Sequence, residues 1–228
     1  MSVRVHWFQH AEHEGLGCIE PWLRKREIPV RCTRGYANEP YPHPADYDWL
    51  IVMGGPMNIY EHDEHPWLVP EKKAINDAIV TNKKVLGICL GSQLLADQLG
   101  GLVTKNKCHE IGWFEVEIAT DRPQLLTGYP KKFEAFHWHG DTFQIPPGSV
   151  NLIKSDACVN QAFARGASLL GLQFHLEVTY IDAQRWLELE DLKPERYVQS
   201  NAEILADPAR FEMNNRLMES TLGRMLAA

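Results

Sequence analysis

Residues 85–93 read Val85-Leu86-Gly87-Ile88-Cys89-Leu90-Gly91-Ser92-Gln93. A short apolar run stops at a cysteine, and a glycine stands two residues to either side of it. A helical spacing then runs over residues 92–99 until Gly100-Gly101 ends it. Strand, sharp turn and helix, with a nucleophile at the turn, is the G-x-S-x-G elbow with cysteine in the serine position. The glycines permit a tight backbone that lifts the side chain above a sheet. Cys89 then heads a helix, where the dipole and free N–H groups favour a thiolate. The Leu90 N–H would face an oxyanion. The competing reading is a buried structural cysteine in front of a helix.

Upstream, residues 49–53 form a second continuous apolar run, which stops at Gly54-Gly55-Pro56-Met57. Further strands are expected at 3–8 and 29–33, and helices at 18–26 and 67–82, with a Pro-, Gly- and Tyr-rich loop over 35–46. Continuous rather than alternating apolar runs mark strands covered on both faces. Their alternation with helices predicts an α/β fold with an open, mostly parallel sheet flanked by helices. In such sheets the ligand crevice lies at the carboxyl ends of the strands. The glycine turns at 54–57 and 87–91 are therefore expected to meet, the first adding a second oxyanion N–H.

Beyond residue 110 the pattern changes. Short strand candidates at 112–118, 133–143, 151–154 and 169–174 predict an antiparallel edge to a mixed sheet. From Asp182 the composition is helical, broken near Pro194 and Pro208. The expected organisation is one domain over 1–180, with a helical extension over 181–228 packed on it. The bland expectation for that extension is packing against the sheet; the sharper one is a lid or a docking face.

The 228 residues carry 30 acidic and 23 basic side chains, a formal charge of −7, which argues against nucleic acid as the main partner. No apolar stretch approaches the roughly 18 residues of a membrane span, and MSVRVHWFQH lacks the apolar core of a signal peptide. Five scattered cysteines without a CxxC pair form neither a disulfide framework nor a structural zinc site. These features predict a cytoplasmic protein without cofactor, metal or membrane partner.

A thiolate nucleophile needs an imidazole to carry its proton, and the imidazole needs an orienting acceptor. Gln173-Phe174-His175-Leu176-Glu177 supplies both at the end of an apolar run. Taken together, Gly54-Gly55-Pro56, the elbow at 87–93 and Gln173-Phe174-His175-Leu176-Glu177 resemble class I, triad-type glutamine amidotransferase domains over about residues 1–180. Residues 136–141, Phe136-His137-Trp138-His139-Gly140-Asp141, are similar to the branch that includes the glutaminase part of GMP synthetase. The resemblance implies a flavodoxin-like fold with Cys89 as nucleophile, His175 as general base and then acid, and Glu177 as its orienter. It implies an oxyanion hole from the N–H groups of Gly55 and Leu90, with Gln93, Met57, His139, Gly140 and Asp141 lining the substrate pocket.

The sequence departs from the family where many members read His-Pro-Glu, since Leu176 stands between His175 and Glu177. No phosphate-binding loop of the G-x-x-x-x-G-K-[ST] kind is present. Two expectations follow for the small-molecule substrate. Either the chain hydrolyses glutamine or a γ-glutamyl compound by itself, or it passes ammonia to a separate synthetase subunit. An intracellular cysteine peptidase of related fold and a non-catalytic binding module are the alternatives. His62-Asp63-Glu64-His65 is read as a solvated loop rather than a metal site, and His137 with His139 as pocket residues rather than metal ligands with His175. The seven tryptophans are expected in the core, apart from Trp138 at the pocket wall. Cys18, Cys32, Cys108 and Cys158 are expected to be structural.

Overall fold

Trp49, Leu50, Ile51 and Val52 are all fully buried, as a strand covered on both faces requires. The computed structural model describes residues 3–120 and 124–228. Strands β1 (Val5–Gln9), β2 (Val30–Arg34), β3 (Trp49–Val52) and β4 (Lys84–Ile88) are interleaved with helices α1 (Ile19–Lys25), α2 (Leu68–Val80) and α3 (Leu90–Gln98). Then come β5 (Val103–Ile118), β6 (Lys132–Phe143), β7 (Val150–Ser155), β8 (Ala162–Arg165) and β9 (Leu169–Leu172), followed by α4 (Tyr180–Leu187), α5 (Asn201–Ile204) and α6 (Pro208–Ala227).

Among the described residues one sheet runs in the order β2-β1-β3-β4-β9-β8-β7-β5-β6. The first five strands are mutually parallel and the rest antiparallel. Side chains alternate across the sheet with period two. Trp49 and Ile51 therefore enter a core with Ile19, Trp22 and Leu23 of α1 and Met218, Leu222 and Met225 of α6. Leu50 and Val52 enter the opposite core with Leu68, Ile75 and Ala78 of α2 and Leu94 and Leu95 of α3. A third cluster, Trp113, Phe136, Ala183, Leu187, Ile204 and Phe211, fastens the C-terminal helices to β5 and β6. No described helix is long and apolar enough to cross a membrane.

The mixed sheet with an antiparallel side matches the sequence expectation, with four differences. The helix after the elbow begins at Leu90 rather than Ser92, because Cys89 itself is its N-cap. The strand expected from 112 begins at Val103: residues 104–109 are mostly polar and largely exposed, so they carry no apolar signal, while residues 103–105 pair with β6 and the register shifts before Glu110. β8, Ala162–Arg165, was not anticipated; four residues ending in arginine are too short to announce a strand. The last apolar run leaves the sheet at Leu172, two residues early, to carry His175 to the site.

Candidate active site

β3, β4 and β9 are adjacent and parallel, so their carboxyl ends open side by side. Cys89 follows β4, Gly54 and Gly55 follow β3, and His175 and Glu177 follow β9. Cys89 adopts φ +50° and ψ −110°, a conformation that costs a side-chain-bearing residue of order 1–3 kcal/mol. The surrounding backbone holds it there. Its N–H donates to the Leu172 carbonyl at 2.7 Å, and the Gly91 N–H donates to the Met53 carbonyl at 3.0 Å. A Cβ on Gly91 would lie 2.0 Å from the Val52 carbonyl oxygen, so only glycine lets α3 dock this closely on β3. Leu90 occupies the first helical position, where the amide has no intrahelical acceptor.

The Cys89 thiol is 7 % exposed and lies 3.6 Å from the Trp138 carbonyl. His175 reaches it with one ring nitrogen, while Nδ1 lies 2.7 Å from Glu177 Oε1. Because a carboxylate can only accept, Nδ1 carries a proton and Nε2 faces the sulfur. Phe136 and Trp186 wall the imidazole, their ring centroids 6.3 and 5.1 Å away, and the backbone N–H of His175 donates to the Phe136 carbonyl at 2.7 Å. Burial alone would lower the His175 pKa, but the Glu177 charge and the Cys89 sulfur outweigh it and raise it well above the ordinary value. The arrangement sets a proton carrier, itself held by a carboxylate, directly beside the sulfur.

Two clefts meet at Cys89. One, of about 380 Å³, brings together Gly55, Met57, Leu90, Gln93, His139, Gly140 and Asp141, which the family resemblance implied, with Asn58, Lys105, His109 and Ile111, which it did not. Gln93 is fixed by Gln173 at 3.2 Å, and Asp141 accepts from the Tyr60 hydroxyl at 3.1 Å. The other cleft lies on the His175 side and includes Glu14, Trp138, Trp186, Leu189 and Glu190. Trp138 is a pocket wall as expected. Trp186 is partly buried and packs on the Trp113–Phe136 cluster, and it also lines this cleft, where with Leu189 and Glu190 it brings part of the C-terminal segment to the site. Glu14 was also missed; burial raises its carboxyl pKa against the opposing pull of His175 and His10. No local motif marks these residues, since only the chain's return at α4 brings Trp186 to the site.

His137 and His139 lie beside Glu110 rather than His175, and their ligand atoms fall within 4.8 Å of one another. The carboxylate is already occupied: Ser155 donates at 2.8 Å, Gln161 at 2.7 Å, and His139 Nε2 lies 3.2 Å away. His137 Nε2 and His139 Nε2 are buried and make no hydrogen bond among the described residues. In the 61–65 loop Glu61 accepts from the Asn58 N–H at 2.8 Å.

Burial holds the His137 pKa near 3, against 6.5 for the ordinary group. The unfolded chain takes up this proton as pH falls through 6.5 and the folded chain does not, so stability is lost on acidification. Replacing His137 with glutamine is expected to remove roughly 2 kcal/mol of the stability loss between pH 6.5 and 5, read from urea midpoints. The other histidines do not mask it, since they are present in both proteins and their contributions cancel in the difference between the two pH slopes. Identical pH slopes for both proteins would contradict this assignment.

Comparison with known proteins places the same elements in a wider setting. The family model "Glutamine amidotransferase class-I" matches residues 21–190. A glutamine amidotransferase-like protein of Salmonella typhimurium is 32% identical over 216 residues, 90% of each chain. A glutamine-hydrolysing GMP synthase of Thermomicrobium roseum is 36% identical over 148 residues, 60% of this chain but only 26% of that protein. The crystal structure of a glutamine amidotransferase from Thermotoga maritima superposes with a TM-score of 0.92 at 32% identity, covering 100% of both chains.

Proposed function

This chain belongs to the class I glutamine amidotransferase family, and on that premise we propose that it hydrolyses the γ-amide of glutamine or of a γ-glutamyl compound through a thioester on Cys89. The observation that carries the proposal is the buried chain of Cys89, His175 and Glu177 at the mouth of two clefts. The sulfur attacks the γ-carbonyl carbon. The N–H groups of Gly55 and Leu90 receive the developing oxyanion, and His175 delivers its proton to the departing nitrogen as the C–N bond breaks. Water then adds to the thioester, His175 accepts its proton, and the C–S bond breaks to release glutamate. Glu177 holds the imidazole tautomer and stabilises its charged form.

The cleft bounded by Met57, Gln93, His139, Gly140 and Asp141 takes the glutamyl end, and the cleft on the His175 side takes the leaving amine. Released ammonia goes to solvent or to a separate synthetase subunit. The matched part of the Thermomicrobium roseum protein covers 26% of it, so an acceptor-activating partner is a proposal of its own. Five free cysteines fit a reducing cytoplasm.

Glutamate release is measured for the isolated protein with glutamine and with glutathione, together with ammonia from the first and cysteinylglycine from the second, beside Cys89→Ala. Release from either compound that vanishes in the variant is expected, and the faster compound assigns the substrate class. Turnover that persists in Cys89→Ala would overturn the proposal.

A further inference from the structure

Resting on the oxyanion role proposed for Gly55, we propose that His10, held by Glu71, is a positioning residue that sets and polarises the Gly54–Gly55 peptide. His10 follows β1 at its carboxyl end and is 1% exposed. Its Nδ1 lies 2.8 Å from the Gly54 carbonyl oxygen, and its Nε2 lies 2.7 Å from Glu71 Oε1 on α2. The Gly54 carbonyl can only accept, so Nδ1 carries a proton and donates to it, and the Glu71 carboxyl group facing Nε2 favours the doubly protonated ring. The Tyr41 hydroxyl donates to the other Glu71 oxygen at 3.0 Å, and the Trp67 ring stacks on His10 with centroids 5.5 Å apart. Burial by itself would lower the His10 pKa; the Glu71 charge and the bond to Gly54 outweigh it and raise it.

The placement gives this second imidazole–carboxylate pair its consequence. In a trans peptide the C=O and N–H point to opposite sides. A donor fixed on the Gly54 carbonyl therefore fixes the direction of the Gly55 N–H. A charged donor also polarises the amide and strengthens that N–H toward an oxyanion. The turn is seated directly on His10: a Cβ on Gly55 would lie 2.8 Å from His10 Cβ and 2.7 Å from Met57 Sδ. The triad chemistry uses neither His10 nor Glu71, and a buried ion pair by itself adds little to stability.

Three variants separate positioning from packing. His10→Ala removes both contacts. His10→Asn places an amide N–H where Nδ1 stood and loses only Glu71. The double variant His10→Leu with Glu71→Leu replaces the buried pair by apolar groups, which restores packing but not the donor. Each is assayed for kcat and KM with the better γ-glutamyl substrate, and for alkylation of Cys89 by iodoacetamide, a displacement that forms no oxyanion. His10→Ala and the double variant are expected to lose about 100-fold in kcat, with KM and alkylation rate within about threefold of wild type. His10→Asn is expected to stay within about tenfold of wild type. Equal losses in the Asn and Ala variants, alkylation that falls with kcat, or a double variant with wild-type kcat would each overturn the proposal. A wild type inactive on every γ-glutamyl compound would instead overturn the hydrolase function on which it rests.

Discussion

Cys89→Gly is expected to be inactive and yet more stable than Cys89→Ala. Both substitutions delete the sulfur, so both should lose turnover by about 10⁴-fold or more. They differ in what the backbone asks of the residue. At φ +50° and ψ −110° a Cβ is strained, and the only relief is its removal. In ordinary positions alanine is the more stable of the two, because glycine loses more chain entropy on folding. Here the order should invert by about 1 kcal/mol, read from urea midpoints. An alanine variant at least as stable as the glycine variant would mean that the elbow carries no strain. The inversion bears on the proposed function, because the same backbone conformation places the Cys89 side chain beside Gly54 and His175.

The largest structural effect is expected from Gly91→Ala. The added methyl carbon would lie 2.0 Å from the Val52 carbonyl oxygen and 2.6 Å from its carbon. Neither is the end of a flexible side chain: both belong to β3, in the middle of the parallel sheet. Relief requires α3 to lift away from the sheet, opening the core of Leu90, Leu94 and Leu95 against Leu50 and Val52. A loss of about 3 kcal/mol or outright failure to fold is expected, measured by thermal and urea unfolding. Activity should fall further than stability explains, since the same shift moves the Leu90 N–H. A variant with wild-type stability would show that the helix is not held against β3 as described.

How much of this was legible in sequence depends on where each signal resides. The buried parallel strands declare themselves as unbroken apolar runs, so residues 49–52 and 85–88 were readable. The elbow declares itself through paired glycines whose spacing has a steric cause. Polar strand segments do not: residues 103–109 drew no strand assignment, because the pairing of 103–105 with β6, not their composition, starts the strand there. The site divides the same way. Cys89, Gly55, His175 and Glu177 stand in short motifs that one turn explains. Trp186, Glu14 and the His10–Glu71 pair belong to elements far apart in the chain. His10 and Glu71 are separated by 61 positions, and only the docking of α2 beside the end of β1 joins them. No local pattern distinguishes such residues from ordinary strand-end and helix positions.

The central claim is a covalent γ-glutamyl group on Cys89, and rapid acid quenching followed by intact-mass and peptide mass spectrometry tests it most directly. Enzyme mixed with its preferred γ-glutamyl substrate and quenched during turnover should carry one added γ-glutamyl group, confined to the peptide containing Cys89 and absent from Cys89→Ala. Turnover without any such adduct on Cys89, or an adduct located on another residue, would contradict the account.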